Sequence, residues 1–143
     1  MRSLIACVAV FALASVAADE AAKKAPAELQ GTWKLESISA NGEERRAFED
    51  NAPRLVIKGD RVRYGGEPLA TLKADPETTP KCLDLHFVSA TDYEGVYKVE
   101  KDTLTICYVD TSVDGAEKKD RPTSFDPKKR DDVKVITFVR KKR

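Results

Sequence analysis

Apolar and polar residues alternate with a period of two in each regular segment after residue 28, a pattern typical of half-buried β-strands. The first of these segments covers about 31–39. A tight hairpin is predicted next, because 54–58 and 61–64 alternate on either side of Gly59-Asp60. Further alternating segments lie at 69–72, 82–88, 95–99, 104–108 and 133–139.

These segments amount to about eight strands with short connections, mostly hairpins, and no helix of consequence. Antiparallel strands lose their exposed edges when the sheet closes on itself. We therefore predict an all-β fold: a single antiparallel up-and-down barrel of about eight strands. Two connections are longer. The stretch 43–50, after the turn signal Asn41-Gly42, is predicted as a short helix or a flap, and about 110–131 as a polar loop.

One set of alternating side chains is predicted to face the barrel interior. It comprises Trp33, Leu35, Leu55, Ile57, Val62, Tyr64, Leu83, Leu85, Phe87, Tyr97, Val99, Leu104 and Ile106. Two interpretations fit this set equally. It forms either a fully packed core or a partly hollow barrel, in which some residues line a cup for a small apolar ligand.

The sequence Gly31-Thr32-Trp33 opens the first strand and contains the only tryptophan of the chain. Glycine allows the backbone to turn tightly under one end of a barrel. A tryptophan two residues later can close that end with a large apolar ring, which a cationic side chain can cover. Because Gly-x-Trp at the start of the first strand resembles the opening of small meander barrels of the lipocalin type, Trp33 is expected to form the floor of the barrel.

The first 18 residues have the features of a secretory signal peptide. Arg2 supplies a positive charge, 4–13 is apolar, and small residues precede a cleavage site after Ala17 or Ala18. The apolar run is shorter than the roughly 20 residues that span a bilayer, so no integral membrane segment is predicted. Lipidation at Cys7 is not expected, because almost no apolar run precedes it.

The rest of the chain is predicted to comprise a linker at 19–27 and one barrel domain at 28–143. The full chain carries 25 basic and 24 acidic residues, so removing Arg2 with the signal peptide leaves the mature chain formally neutral. Proteins that bind nucleic acid usually carry a basic excess, and we expect no nucleic-acid partner. The signal peptide predicts a periplasmic or extracellular location.

No group of residues in the sequence predicts catalysis, and we expect no enzymatic activity, no cofactor and no metal site. His86 is the single histidine and lies at an outward position of its strand, with no second histidine to share a metal ion. The run 110–115 resembles the first half of a calcium loop. Arg121, however, stands where such a loop needs a bidentate carboxylate.

Cys82 and Cys107 remain once Cys7 departs with the signal peptide. They are predicted on two strands that have a third strand paired between them. Two strand spacings separate their backbones by about 9–10 Å, beyond the roughly 7 Å limit for a disulfide. We therefore predict no disulfide.

Five segments occur in an order that matches one known group: ELQGTWKLESISANG, LVIKGDRV, KCLDLHF, EGVYKVEKDTLTICYVD and RPTSF. On these motifs the chain resembles the uncharacterised planctomycete lipocalin-like domain family over about residues 28–140. The resemblance implies a lipocalin-like barrel in an exported protein, and no reaction, because the family has no established activity. In the wider lipocalin class a basic residue near the last strand lies across the floor tryptophan. By position, the resemblance implies Arg140 for this role, and Arg121 as second choice.

These observations predict an exported, non-enzymatic, monomeric barrel that binds a small apolar molecule in or at its mouth. The predicted ligand-binding residues are Tyr64, Phe87, Tyr97 and Trp33. The alternative is an extracytoplasmic interaction module with a filled core, which would bind protein or polysaccharide through its loops. A cavity open at one end favours the first function, and a filled interior with an exposed apolar patch favours the second.

Overall fold

The computed structural model describes residues 25–47, 51–109, 120–128 and 132–142. Within them, a short 3-10 turn at Ala27–Leu29 precedes nine β-strands. The strands are β1 (Gly31–Ala40), β2 (Glu43–Arg46), β3 (Arg54–Lys58), β4 (Arg61–Tyr64), β5 (Glu67–Asp75), β6 (Lys81–Phe87), β7 (Asp92–Glu100), β8 (Thr103–Val109) and β9 (Val133–Arg140). The described chain is all-β, as predicted.

The sheet closes into a barrel because β1 pairs with the last strand as well as with its sequence neighbours. Each strand from β3 to β8 pairs antiparallel with the next, and β1 pairs with both β3 and β9. The register between β1 and β9 runs from Trp33 opposite Arg140 to Ala40 opposite Lys134. β1 and β3–β9 thus form the closed, eight-stranded antiparallel barrel that the alternation predicts.

The stretch 43–50 does not form the short helix or flap expected from the sequence. Its described part contains β2, which pairs with the second half of β1 across the turn Asn41-Gly42. Both turn residues have positive φ, 54° and 77°, as a two-residue hairpin of the primed type requires. All four side chains of β2 are exposed. The strand therefore buries no apolar face, and its Glu and Arg residues gave no alternation to detect.

The barrel has two distinct ends. The floor is the end formed by the turns after β3, β5 and β7, where the 3-10 turn and the start of β1 also lie. The mouth is the opposite end, formed by the turns after β4 and β6. Because strands alternate in direction, residues near the start of β1 and near the end of β9 share the floor.

The predicted linker at 19–27 ends earlier than the sequence suggests. Ala25 is only 5% exposed and belongs to the main core cluster. Its backbone N–H donates to the carbonyl of Gly59 at 3.2 Å. The Gln30 amide ties the same two residues together, since its Nε2 donates to the carbonyls of both Ala25 and Gly59. The packed domain therefore includes Ala25, while the predicted signal peptide lies outside the described residues.

A second apolar cluster lies on the outer face of the barrel. Val96, Cys107, Val133 and Val135 point away from the interior, yet none is more than 8% exposed. The segment 120–128, which we term the outer cover, packs Phe125 against them. The sequence predicted only a polar loop here. The missed signal is that β8 and β9 are apolar on both faces, which indicates strands that are covered on both sides.

Gly95 permits the close approach of β7 and β8. A Cβ atom placed there would lie 2.5 Å from the Cys107 carbonyl oxygen and 3.0 Å from the Tyr108 Cβ. The first of these atoms is backbone and cannot move aside on its own. Gly95→Ala should therefore destabilise the fold by about 1–3 kcal/mol, the usual range for overpacking. Denaturant unfolding measures this, and a loss below about 0.5 kcal/mol would contradict the close approach, since such losses are typical of neutral surface positions.

The two thiols provide a test of the outer cover. Cys82 is partly exposed, whereas Cys107 is fully buried and its Sγ lies 3.4 Å from the Ser124 carbonyl oxygen. Cys82 and Cys107 are not joined by a disulfide, and Val96 stands between them in register with each. In native protein, a thiol reagent should modify Cys82 rapidly and Cys107 only slowly.

In a Cys82→Ser background, Phe125→Ala should speed modification of Cys107 at least tenfold, because loosening the cover exposes the sulfur. Unfolding curves for the same protein are the control, since a global loss of stability would also raise the rate. Equal rates with and without Phe125 would contradict the burial of Cys107 by the cover.

Candidate functional site

The floor of the barrel is built around Trp33, whose side chain is fully buried. Its indole Nε1–H donates to the Leu29 carbonyl oxygen at 3.0 Å. This bond satisfies the one polar atom of the ring and fixes the 3-10 turn beneath the barrel. Leu29 is itself 0% exposed, so the turn and the ring together seal this end.

Arg140 covers the outer surface of the indole. Its Cζ lies 4.2 Å from the Trp33 ring centroid, within cation–π range. Its Nη1 and Nη2 donate to the carbonyls of Gln30 and Glu28 at 2.6 and 2.8 Å. One guanidinium therefore joins the end of the last strand to the ring and to the backbone that precedes the first strand.

The geometry explains the glycine of the Gly-x-Trp motif. Gly31 has φ of +128°, a conformation that other residues rarely adopt. A Cβ atom at Gly31 would lie 2.8 Å from Arg140 Nη1. The glycine both makes the turn into β1 and leaves space for the guanidinium.

Arg121, the second choice for covering Trp33, lies on the outer wall instead. Its Nη1 donates to the carbonyls of Leu83 and Gly95 at 3.3 and 2.7 Å. Its Nη2 lies 2.7 Å from Oδ1 of Asp84 on β6. Arg121 therefore anchors the outer cover to β6 and β7.

Tyr97 belongs to the floor as well. It is 1% exposed, and its hydroxyl donates to Glu28 Oε1 at 3.1 Å. Lys81 Nζ lies 2.7 and 3.0 Å from the two oxygens of the same carboxylate. Burial raises the pKa of Tyr97 well above its ordinary value, and the neighbouring Glu28 carboxylate raises it further. Tyr97 is therefore a neutral donor that holds Glu28 to the barrel.

The four residues predicted to bind a ligand thus divide between the two ends of the barrel. Trp33 and Tyr97 lie at the floor and have almost no exposed surface. Tyr64 and Phe87 end β4 and β6 at the mouth, and both are partly exposed. Only the second pair offers surface to a molecule that enters from solution.

Two further aromatic residues complete the mouth. Tyr93 lies 4.9 Å from Phe87 and 5.1 Å from Tyr108 between ring centroids, each pair in an edge-to-face arrangement. Both tyrosines are partly buried. The sequence signal was present, because Tyr93 has the same alternation as Tyr97, and Tyr108 the same as Ile106. We term Tyr64, Phe87, Tyr93 and Tyr108 the mouth aromatics.

A depression of about 380 Å³ lies on the outer wall. It is lined by Thr71, Lys73, Asp84, Leu85, His86, Asp92, Tyr93 and Glu94. Among its charged groups, His86 pairs with Asp92 and Asp84 pairs with Arg121. In the described part of the chain, no three His, Cys, Asp or Glu residues converge as metal ligands would. Among the same residues, no helix has the length and apolar character needed to cross a membrane.

Comparisons with protein families, with curated proteins and with solved structures find no match to this chain. The observations that bear on function are therefore the closed barrel, its buried floor and its partly exposed mouth.

Substitution of Arg140 tests how the floor is sealed. Arg140→Ala should destabilise the fold by about 2–4 kcal/mol, because it removes the cation–π contact and two charge-assisted hydrogen bonds. Trp33 emission should shift to longer wavelength as the ring meets water. Arg140→Lys should recover only part of the loss, since an ammonium group cannot reproduce the two-pronged geometry.

Arg121→Ala is the matched control, because it removes the same side chain from the outer wall and should leave Trp33 emission unchanged. A shift with Arg121→Ala and none with Arg140→Ala would contradict this account of the floor.

Proposed function

We propose that the chain is an exported, non-enzymatic, lipocalin-like protein that binds a small, mainly apolar molecule at the mouth of the barrel. One observation carries this proposal: the inward-facing aromatic residues are buried unequally. Trp33 and Tyr97 at the floor are 0% and 1% exposed. The four mouth aromatics are all partly exposed.

Partly exposed aromatic rings at one end of a barrel favour a ligand on physical grounds. Water in contact with these rings is released when an apolar molecule covers them, and edge-to-face contacts add to the binding free energy. The rings rest on sheet strands rather than on long loops, so little ordering is needed when a ligand arrives. The sealed floor limits how deeply the ligand can enter.

The chemistry of the mouth indicates the class of ligand. Three of the four aromatics are tyrosines, which combine an apolar ring with a hydroxyl that can donate or accept a hydrogen bond. Such a surface suits a molecule with an apolar body and one or two polar groups near its outer end. A cation also lies at this end, because Lys134 stands directly opposite Tyr108 in the register of β8 and β9.

Export and family membership form part of the same proposal. The signal-peptide features of residues 1–18 support a periplasmic or extracellular location. The closed barrel with its Gly31–Trp33–Arg140 floor supports membership of the planctomycete lipocalin-like group. We propose that the exported protein works as a monomer, since β1 and β3–β9 close on one another, and β2, which has no second partner strand among the described residues, is short and carries only exposed charged side chains.

Native mass spectrometry of protein purified from its own host is the first experiment. The expected result is a mass above that of the polypeptide alone, equal to the mass of a bound small molecule. Extraction with organic solvent should remove the molecule and return the mass to that of the polypeptide. If the protein carries no added mass and binds no apolar probe after solvent extraction, the ligand-binding proposal is wrong. An interaction module with a filled core would then be favoured.

The mouth is then tested by titration with N-phenyl-1-naphthylamine, a small apolar dye. Phe87→Ala and Tyr108→Ala should each weaken dye binding about five- to tenfold, which corresponds to about 1–1.4 kcal/mol. Phe125→Ala is the matched control, because it removes an aromatic ring from the outer wall. Its Kd should stay within twofold of the unmodified protein. Equal losses in all three variants would contradict binding at the mouth.

A further inference from the structure

The β3–β4 hairpin presents a cationic outer face. Leu55, Ile57 and Val62 point inward and are buried, so the residues between them point outward. In this fully described hairpin, the outward residues of the two strands are Arg54, Val56, Lys58, Arg61 and Arg63. Four of these five are cationic and none is acidic. Lys34 extends the same face onto β1, directly opposite Arg54. We term Lys34, Arg54, Lys58, Arg61 and Arg63 the basic face.

The register places like charges directly opposite one another. Lys34 faces Arg54 across β1 and β3, and Lys58 faces Arg61 across β3 and β4. Opposed like charges on adjacent strands destabilise a sheet, whereas opposite charges stabilise it. The repeated juxtaposition concentrates positive charge on this face, although Arg61 is also paired with Asp60. Departures from local rules of this kind are expected where a surface has a function.

The cationic groups near the turn remain accessible. The Arg61 side chain is 79% exposed, and Lys58 and Arg63 are exposed as well. Arg61 Nε lies 3.6 Å from Asp60 Oδ1, and Arg63 donates to the Gly66 carbonyl oxygen. Each guanidinium has five N–H donors, so these contacts leave several of them available to a ligand. An exposed ion pair such as Arg61–Asp60 is weak enough to exchange partners.

The charge is concentrated by the fold rather than by composition. The whole chain has a formal net charge of only +1. On the other side of the barrel, the outward positions of β6 and β7 include Asp84, Asp92, Glu94 and Glu100. Lys98 and Arg121 lie among these acidic residues, so the charges of that wall are mixed, whereas the outward positions of β3 and β4 carry no acid. An anionic partner would therefore meet its strongest attraction at the basic face.

The shape of the basic face indicates a polymeric ligand. It covers three strands, which span about 10 Å at the usual spacing, and about 13 Å along β3. Side chains on the outer surface of a barrel do not enclose a pocket, whereas small molecules bind in concave sites. A chain of repeated anionic groups can instead lie across the face and contact several cations together.

We propose that the basic face binds a linear anionic polysaccharide that carries sulfate or carboxylate groups. Arginine forms paired hydrogen bonds with both kinds of group. The outward positions of this described hairpin include no aromatic ring on which a nucleobase could stack. Val56 is the single apolar side chain among them, which is too little to insert into a lipid surface. The site is separate from the mouth and does not depend on the proposed ligand there.

Dextran sulfate, carboxymethyl dextran and plain dextran provide matched probes, because they share one sugar backbone and differ in charge. The intact protein should bind one or both anionic polymers and not plain dextran. The triple variant Lys58→Gln, Arg61→Gln, Arg63→Gln should weaken this binding at least tenfold in low salt. Its plot of log Kd against log salt should flatten by about two to three units, on the order of one for each lost cation.

The control variant Lys101→Gln, Lys128→Gln, Lys142→Gln makes the same change in net charge on exposed residues elsewhere. Its affinity should stay within threefold of the unmodified protein. The melting temperature of the basic-face variant should not fall, because it loses one opposed pair of like charges. This separates lost binding from lost folding.

Any of four binding results would overturn the proposal: equal weakening by the control variant, equal binding of plain dextran, absence of binding to all three polymers, or tighter binding of duplex DNA than of dextran sulfate. Salt-sensitive dimers that the basic-face variant abolishes would also overturn it. Such dimers would show that the basic face binds the acidic residues of a second copy of the chain.

Discussion

The guanidinium of Arg140 is the group on which closure of the barrel depends. It stacks on Trp33, and it binds two backbone carbonyls in the segment that leads into β1. Three requirements meet at this point: the sheet has to close, the large ring has to leave water, and the 3-10 turn has to satisfy its carbonyls. A single planar cation meets all three, since it offers a flat face to the ring and two donors to the backbone.

This sealed floor makes the two ends of the barrel chemically different. At the floor, Trp33 donates to a backbone carbonyl, and Tyr97 and Lys81 both donate to Glu28, so these polar groups already have hydrogen-bond partners. At the mouth, the aromatic rings contact each other by their edges and retain exposed surface. The sealed floor therefore fixes the strands that meet there, and the mouth is left less completely packed. For this reason we propose that a ligand binds at the mouth.

The sequence allowed the barrel and its hairpins to be predicted because period-two alternation and turn residues are local signals. Gly59-Asp60 and Gly31 are examples, since each requires a conformation that few residues adopt. The position of Tyr93 could have been inferred from its alternation with Tyr97. The outer cover could not be inferred from its own residues, because Phe125 acquires its role only by packing on Cys107 and Val135. β2 escaped prediction because it forms through pairing with β1 and buries no face.

The pairing of β1 with β9 also constrains the order of folding. Arg140 lies 110 positions after Gln30, the residue whose carbonyl it binds. Hairpins such as β3–β4 can form from neighbouring residues, but the floor cannot close until the end of the chain is present. Contacts of such long sequence separation form late, because the loop entropy must be lost first. A chain that stops before β9 would expose the edges of β1 and β8, and unpaired edges recruit strands from other chains. Completion of the last strand is therefore the step that converts an open sheet with two unpaired edges into a closed barrel.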